Sequence, residues 1–225
     1  MTVLAETSRR RPRDPEATRE VILEAARTLL AKDGPEGVSL SEVAHLAGVN
    51  RGTAYQHFAT RENLVQATVE SVSLKLFRAV FGDPETIGER RVEEVDVAAM
   101  TERLANFAMQ NHELGRVWLL QVLASPDPSV DLFWREYVGS LERFAASDLA
   151  VSGIDAEVLS VMNLAAVFLW PIWAQAHDQD GKGREQLASR FTREILRLSM
   201  YGSLKPSAYP AIAEQLHNAE AKASD

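Results

Sequence analysis

Residues 39–58 read SLSEVAHLAGVNRGTAYQHF, and the fold follows from this stretch. Ser39 followed by Glu42 is a capping-box signature, so a helix starts there. Gly48 supplies the left-handed backbone that a β-carbon resists. Val49 is apolar inside that turn, which makes sense only if the turn packs against another helix. Asn50 then caps a second short helix. Two short helices joined by a tight glycine turn and packed through Val43, Ala44, Val49, Ala54 and Phe58 make a helix-turn-helix over 39–58. Ala44 is small enough to let the two axes approach.

The second of these helices has an unusual surface. Arg51, Gly52, Thr53, Tyr55, Gln56 and His57 are polar or small, and few of them would serve a core. Guanidinium, hydroxyl, amide and imidazole groups bind phosphate oxygens and base edges. A plain solvated helix is the competing reading, and the motif as a whole favours DNA. Arg51 is the best candidate for reading a guanine, because its fork matches O6 and N7.

Outward from the motif, helical spacing recurs from end to end and no segment sustains strand alternation. Asp14-Pro15 opens a first helix that should bury Ile22, Ala25, Ala26, Leu29 and Leu30 and stop at Gly34-Pro35. A longer helix is expected from about Arg61 to Phe81. Residues 82–95 read as a linker. Val97, Met100, Leu104, Phe107 and Ala108 share one helical face, and Val130, Phe133, Trp134, Tyr137, Leu141, Phe144 and Ala145 share another. Ser125-Pro-Asp-Pro128 separates the two. An apolar helix over 156–177 should kink or break near Pro171. A helix bearing Leu187, Phe191, Ile195 and Leu198 follows, and a short one is expected after Pro210. The expected fold is therefore all-α, with an N-terminal three-helix DNA-binding domain and a larger helical domain for ligand and dimerisation. Its divisions are a basic flexible arm at 1–14, the DNA-binding domain at 15–77 and the helical domain at 78–225.

The net charge of −8 over 225 residues looks wrong for a nucleic-acid binder until it is divided. Residues 1–62 hold nine basic and nine acidic side chains, leaving 15 against 23 for the remainder. Arg9, Arg10, Arg11 and Arg13 cluster ahead of the first helix, and DNA contact needs local positive charge only. With no cysteine, disulfides and thiol chemistry are excluded, and the expected setting is a reducing cytoplasm. The arginine block lacks a following apolar run, so no secretory signal is read. The uncharged run 158–176 has the length of a membrane span. It contains Ser160, Asn163, Pro171 and Gln175, its flanks are acidic, and no Lys/Arg cluster anchors it, so burial in protein is the preferred reading.

The chain resembles the TetR family of bacterial regulators. The resemblance rests on GVSLSEVA, then AGVNRGTAYQHF, then TRENL at 60–64, and covers about residues 15–77. It departs in two places. Arg61 stands where the family commonly has Lys, and Ala54 replaces a larger aliphatic residue. The resemblance implies that Tyr55 and His57 bind DNA phosphates, that Arg61 does so from the start of the fourth helix, and that Ser39 caps its helix and holds a phosphate. Ser41, Arg51, Thr53 and Gln56 would lie nearest base edges. The arginine arm would reach an adjacent minor groove; a solubilising tail explains it equally well.

No catalytic or metal site is read. His112-Glu113 is followed by Arg116 where a zinc-protease helix needs His, and Gly181-Lys-Gly183 lacks the rest of a phosphate loop. No cofactor is expected. The expected function is repression at a palindromic operator by a cytoplasmic homodimer, relieved by a small-molecule effector; the alternative is a regulator controlled by a protein partner. Dimerisation is assigned to the helices at about 156–177 and 184–202, because a helix apolar on all sides needs a second cover. A mostly apolar ligand pocket is expected over 97–177, lined by Met100, Phe107, Trp118, Trp134, Tyr137, Met162, Phe168, Trp170, Trp173 and His177. Interleaved amides such as Asn106, Gln110, Gln121, Asn163 and Gln175 would orient a neutral or anionic, aromatic or acyl ligand. Plain core is the competing reading for the aromatic residues.

Overall fold

The computed structural model describes residues 14–85, 91–178 and 183–201. The arginine arm and the helix expected after Pro210 lie outside the described residues. Among these residues the chain is all-helical, with nine α-helices and no strand. It forms two compact units that divide between Thr68 and Val69.

In the first unit, α1 (Pro15–Asp33) starts at Asp14, whose carboxylate accepts from the Glu16 amide at 3.0 Å. It stops at Gly34, which has a φ of 71° that a side chain would resist. A 3-10 turn at Pro35–Gly37 leads into α2 (Leu40–Leu46), followed by α3 (Arg51–His57) and the start of α4 (Arg61–Phe81). Ile22, Leu23, Ala26, Leu30, Val43, Ala44, Ala54, Phe58 and Leu64 form the core. Leu29 is only half-buried, and Arg27 takes a buried place instead. Its guanidinium pairs with Glu20 and Glu24, which answers the cost of burying the charge.

In the second unit, the later part of α4 is joined by α5 (Val97–Gln110), α6 (His112–Leu123), α7 (Leu132–Ala145), α8 (Ala156–His177) and α9 (Arg184–Tyr201). Helix α8 packs against α5, α6, α7 and α9, and α5 also packs against α9. The core is aromatic. Trp118 meets Phe133 edge-on at 5.4 Å and Phe168 at the same separation, while Phe133 stacks on Tyr137 at 5.6 Å. Gly115 lies under Phe168, where a β-carbon would fall 2.5 Å from the ring.

One carboxylate ties three of these helices together. Asp131 caps α7 by accepting from the Trp134 amide at 2.9 Å. It also accepts from the Ser73 hydroxyl of α4 at 2.8 Å and from the Trp118 indole N–H of α6 at 3.0 Å. The Ser73 oxygen in turn accepts from the Phe133 amide at 3.1 Å. Each buried polar group here has a partner, so the network holds its helices at little desolvation cost.

The helix after the linker, for which no end is read from sequence, stops at Gln110, and α6 starts at His112 across Asn111. No glycine or proline marks that break, so pattern reading passes over it. Val97 and Val130 are exposed, because each sits at or beyond a helix end where the shared face no longer meets a neighbour. Of the kink or break expected near Pro171 the break is absent, since α8 runs through that position as one element although proline cannot donate to the Val167 carbonyl. Buried Val167, Phe168, Pro171 and Ala174 hold both sides of that position against the core.

Helix α8 is also, among the described residues, the helix long and apolar enough to cross a membrane by length and composition. Ser160, Leu164, Val167, Phe168 and Ala174 face its own unit. Val158, Met162, Leu169, Ile172 and Trp173 lie on the other side and are exposed.

Candidate nucleic-acid interface

The helix-turn-helix is built as its local chemistry requires. The Ser39 oxygen accepts from the Glu42 amide at 3.2 Å, and the Ser39 hydroxyl donates to the Glu42 carboxylate at 2.7 Å. Gly48 has a φ of 63°, and the Val49 amide closes the turn on the Ala44 carbonyl at 3.0 Å. Asn50 caps α3, its side-chain oxygen accepting from the Thr53 amide at 2.7 Å and from the Thr53 hydroxyl at 3.0 Å. Ala54 is the one residue of α3 that is buried. Phe58 follows into the core under the Arg19 guanidinium, 5.4 Å from the ring centroid. With Ala54 buried and Thr53 and His57 half-buried beside it, α3 presents the opposite side, carrying Arg51, Gly52, Tyr55 and Gln56, outward.

On that outward surface Arg51, Gly52, Tyr55 and Gln56 are exposed, and Thr53 and His57 are half-buried. The Arg51 guanidinium lies 5.6 Å over the Tyr55 ring, so the two side chains share one face. Ser41 is exposed on α2. The structure thus groups Arg51, Thr53, Tyr55, Gln56 and His57 on one short helix. Ser39 is half-buried with its hydroxyl proton given to Glu42, and the Thr53 proton goes to Asn50. Both keep a lone pair, so they act toward a ligand as acceptors.

Arg61 departs from the sequence expectation of a side chain aimed at phosphate. Its Nε donates to the Val38 carbonyl at 3.0 Å, and its Nη2 donates to the Pro35 carbonyl and to Glu36 at 3.2 Å. The remaining nitrogen lies 3.6 Å from Glu62. Sequence reading also passed over Thr60, whose oxygen accepts from the Asn63 amide at 3.1 Å and starts α4. The signal was present as Thr followed three residues later by Asn. The Arg19–Phe58 contact joins residues far apart in sequence, and no local pattern announces it.

The residues expected to line a ligand pocket divide between buried, half-buried and exposed positions. Trp118, Trp134, Tyr137 and Phe168 are buried, and contacts among Trp118, Phe133, Tyr137 and Phe168 make them core. The Tyr137 hydroxyl bonds to Asn163, and burial pushes its pKa up to about 12. That bond takes up one hydrogen-bonding group of the half-buried Asn163 amide. Met162 and Trp173, 62% and 50% exposed, sit on the outer side of α8 with His177. The cause is the helical period, which sets 162, 169 and 173 opposite 164, 167 and 168. Trp170 is half-buried, donates to the Leu187 carbonyl at 3.1 Å and stacks on Trp173 at 5.4 Å. Met100 and Phe107 are half-buried on α5. Among the described residues, no group of three or more His, Asp or Glu is placed to hold a metal.

Comparison with known proteins places this geometry. The profile of bacterial regulatory proteins of the tetR family matches residues 22–68. The HTH-type transcriptional repressor Rv3405c of Mycobacterium tuberculosis is 35% identical over 95 residues, covering 41% of this chain and 50% of that protein. The HTH-type transcriptional regulator TtgR of Pseudomonas putida is 41% identical over 64 residues, covering 28% of this chain and 30% of that protein. The chain thus spans half or less of the length of these curated relatives. Among solved structures, the fatty acid degradation regulator FadR from Bacillus halodurans aligns with a TM-score of 0.58 at 14% identity, over 83% of this chain and 95% of that one. At that identity the likeness is one of fold.

Proposed function

Because the chain belongs to the TetR family of bacterial regulatory proteins, we propose that it is a cytoplasmic transcriptional repressor that binds a palindromic operator as a homodimer. The carrying observation is α3, which buries one residue and turns Arg51, Tyr55 and Gln56 outward from a capped helix-turn-helix. In this reading Arg51, Thr53, Gln56 and Ser41 meet base edges and Tyr55 and His57 meet phosphates, while Ser39 meets a phosphate by turning its proton away from Glu42. Dimerisation is supported by the exposed apolar side of α8, whose Val158, Met162, Leu169, Ile172 and Trp173 need a cover. A palindromic operator in turn calls for two copies of α3 about 34–36 Å apart, which a twofold dimer supplies.

The effector is read as a small apolar or aromatic molecule held by the second unit. Support comes from Met100, Phe107 and Trp170, the members of the expected lining that are neither packed core nor fully outward. The test is a footprint on DNA selected from a random pool, repeated with a panel of aromatic and acyl compounds. A twofold-symmetric footprint with Arg51→Ala losing discrimination at one base pair, by about 1–3 kcal/mol, is expected. No footprint at any salt concentration overturns DNA binding. A footprint insensitive to every compound favours control by a protein partner.

A further inference from the structure

We infer that Arg61 is a positioning residue that clamps the segment ahead of α2 to the first turn of α4, and that it is not a phosphate ligand. The inference deepens the DNA-binding reading and rests on it.

The side chain belongs to the first residue of α4 and reaches back over 23 residues to the Val38 carbonyl and 26 to that of Pro35. The Pro35 carbonyl belongs to the first residue of the 3-10 turn at Pro35–Gly37, and that of Val38 follows the turn, next to Ser39, which caps α2. The Pro35 carbonyl already accepts from the Val38 amide at 3.4 Å, and Gly37 bonds to Gly34 at 3.2 Å. Arg61 adds a second tie from outside the segment. Val38 is buried, so its carbonyl has little access to water and needs a protein donor. A guanidinium offers separate donors in a fixed fork and can serve both carbonyls at once, which the single ammonium of a lysine does poorly. The charge is answered on the spot by Glu36 and Glu62, at 3.2 and 3.6 Å. A side chain with its charge paired and two donor nitrogens on backbone carbonyls is poorly disposed toward phosphate. What it does instead is fix where α2 begins relative to α4, and hence the base on which α3 is presented.

The experiment compares Arg61→Ala, Arg61→Lys and Arg61→Gln with the unsubstituted chain. It measures operator affinity against salt, thermal melting, and hydrogen exchange of the free protein. A clamp predicts that alanine weakens binding by about tenfold at every salt concentration, the scale of one charged hydrogen bond. The salt slope stays as it was, since no phosphate neutralisation is lost. Glutamine, a neutral donor, recovers more affinity than lysine. In the free protein the amides of Val38 and the first turn of α2 exchange faster in the alanine variant while the melting temperature of the second unit holds. A phosphate ligand predicts the reverse, and that result overturns the inference: a slope shallower by about one in alanine and glutamine, full recovery by lysine, and unchanged exchange. Should the unsubstituted chain bind no DNA, the DNA-binding reading fails, and faster or unchanged exchange alone upholds or rejects the clamp.

Discussion

At the scale of single residues, two side chains carry consequences out of proportion to their size. Gly115 is a helical glycine with no need of unusual backbone, so the reason for it is the Phe168 ring above it. Gly115→Ala should lower the stability of the second unit by about 1–3 kcal/mol, the range for overpacking a filled core. A melting temperature equal to or above that of the unsubstituted chain would show that Phe168 moves aside freely. Tyr137 is the second case. Its folded pKa is raised to about 12 by burial, above the ordinary value of 10.0. The stability it contributes is therefore complete below pH 10 and is lost as pH rises toward 12. Denaturant unfolding across that range should fall by about 2–3 kcal/mol, and Tyr137→Phe should remove most of the fall. An equally steep fall in the variant would assign the effect to other groups. Neither role was legible in sequence. Glycine 115 has no turn signature, and the Tyr137–Asn163 pair joins two helices whose packing no periodicity specifies.

At the scale of elements, legibility follows the range of the interaction. The start of α1 at Asp14-Pro15, the Ser39 and Asn50 caps and the Gly48 turn all rest on contacts within five residues, and each stands where its sequence signal put it. The division of α5 from α6 at Asn111 has no such signal, and neither does the continuity of α8 through Pro171. At Pro171 packing against the core overrules the local preference, whereas at Asn111 the side-chain amide donates back to the Phe107 carbonyl at 3.0 Å as α5 ends. The Asn50 cap lends itself to a test at this scale. Asn50→Ala removes the acceptor of both the Thr53 amide and its hydroxyl and should cost about 1 kcal/mol. Amide exchange should quicken over α3 ahead of α1, and uniform quickening across the unit would deny α3 its separate dependence on the cap.

At the scale of the whole molecule, the composition of α8 was read correctly and the disposition of its side chains was not. An uncharged helix signals burial without saying which side is buried by its own unit. The structure assigns Leu164, Val167 and Phe168 to the core and leaves Met162 and Trp173 outside. The sequence reading gathers Met162, Phe168 and Trp173 into one pocket lining, because residue type alone does not separate them. Met162→Glu should yield a chain of monomeric mass by light scattering at micromolar concentration with its helical content intact. A dimeric mass for this variant would move the interface elsewhere. On the dimeric reading, that uncovered side also shapes the dose response. Below the dissociation constant of the dimer the number of paired chains grows with the square of chain concentration. Operator occupancy then rises through a threshold rather than in proportion, and halving expression releases the regulated genes by far more than half.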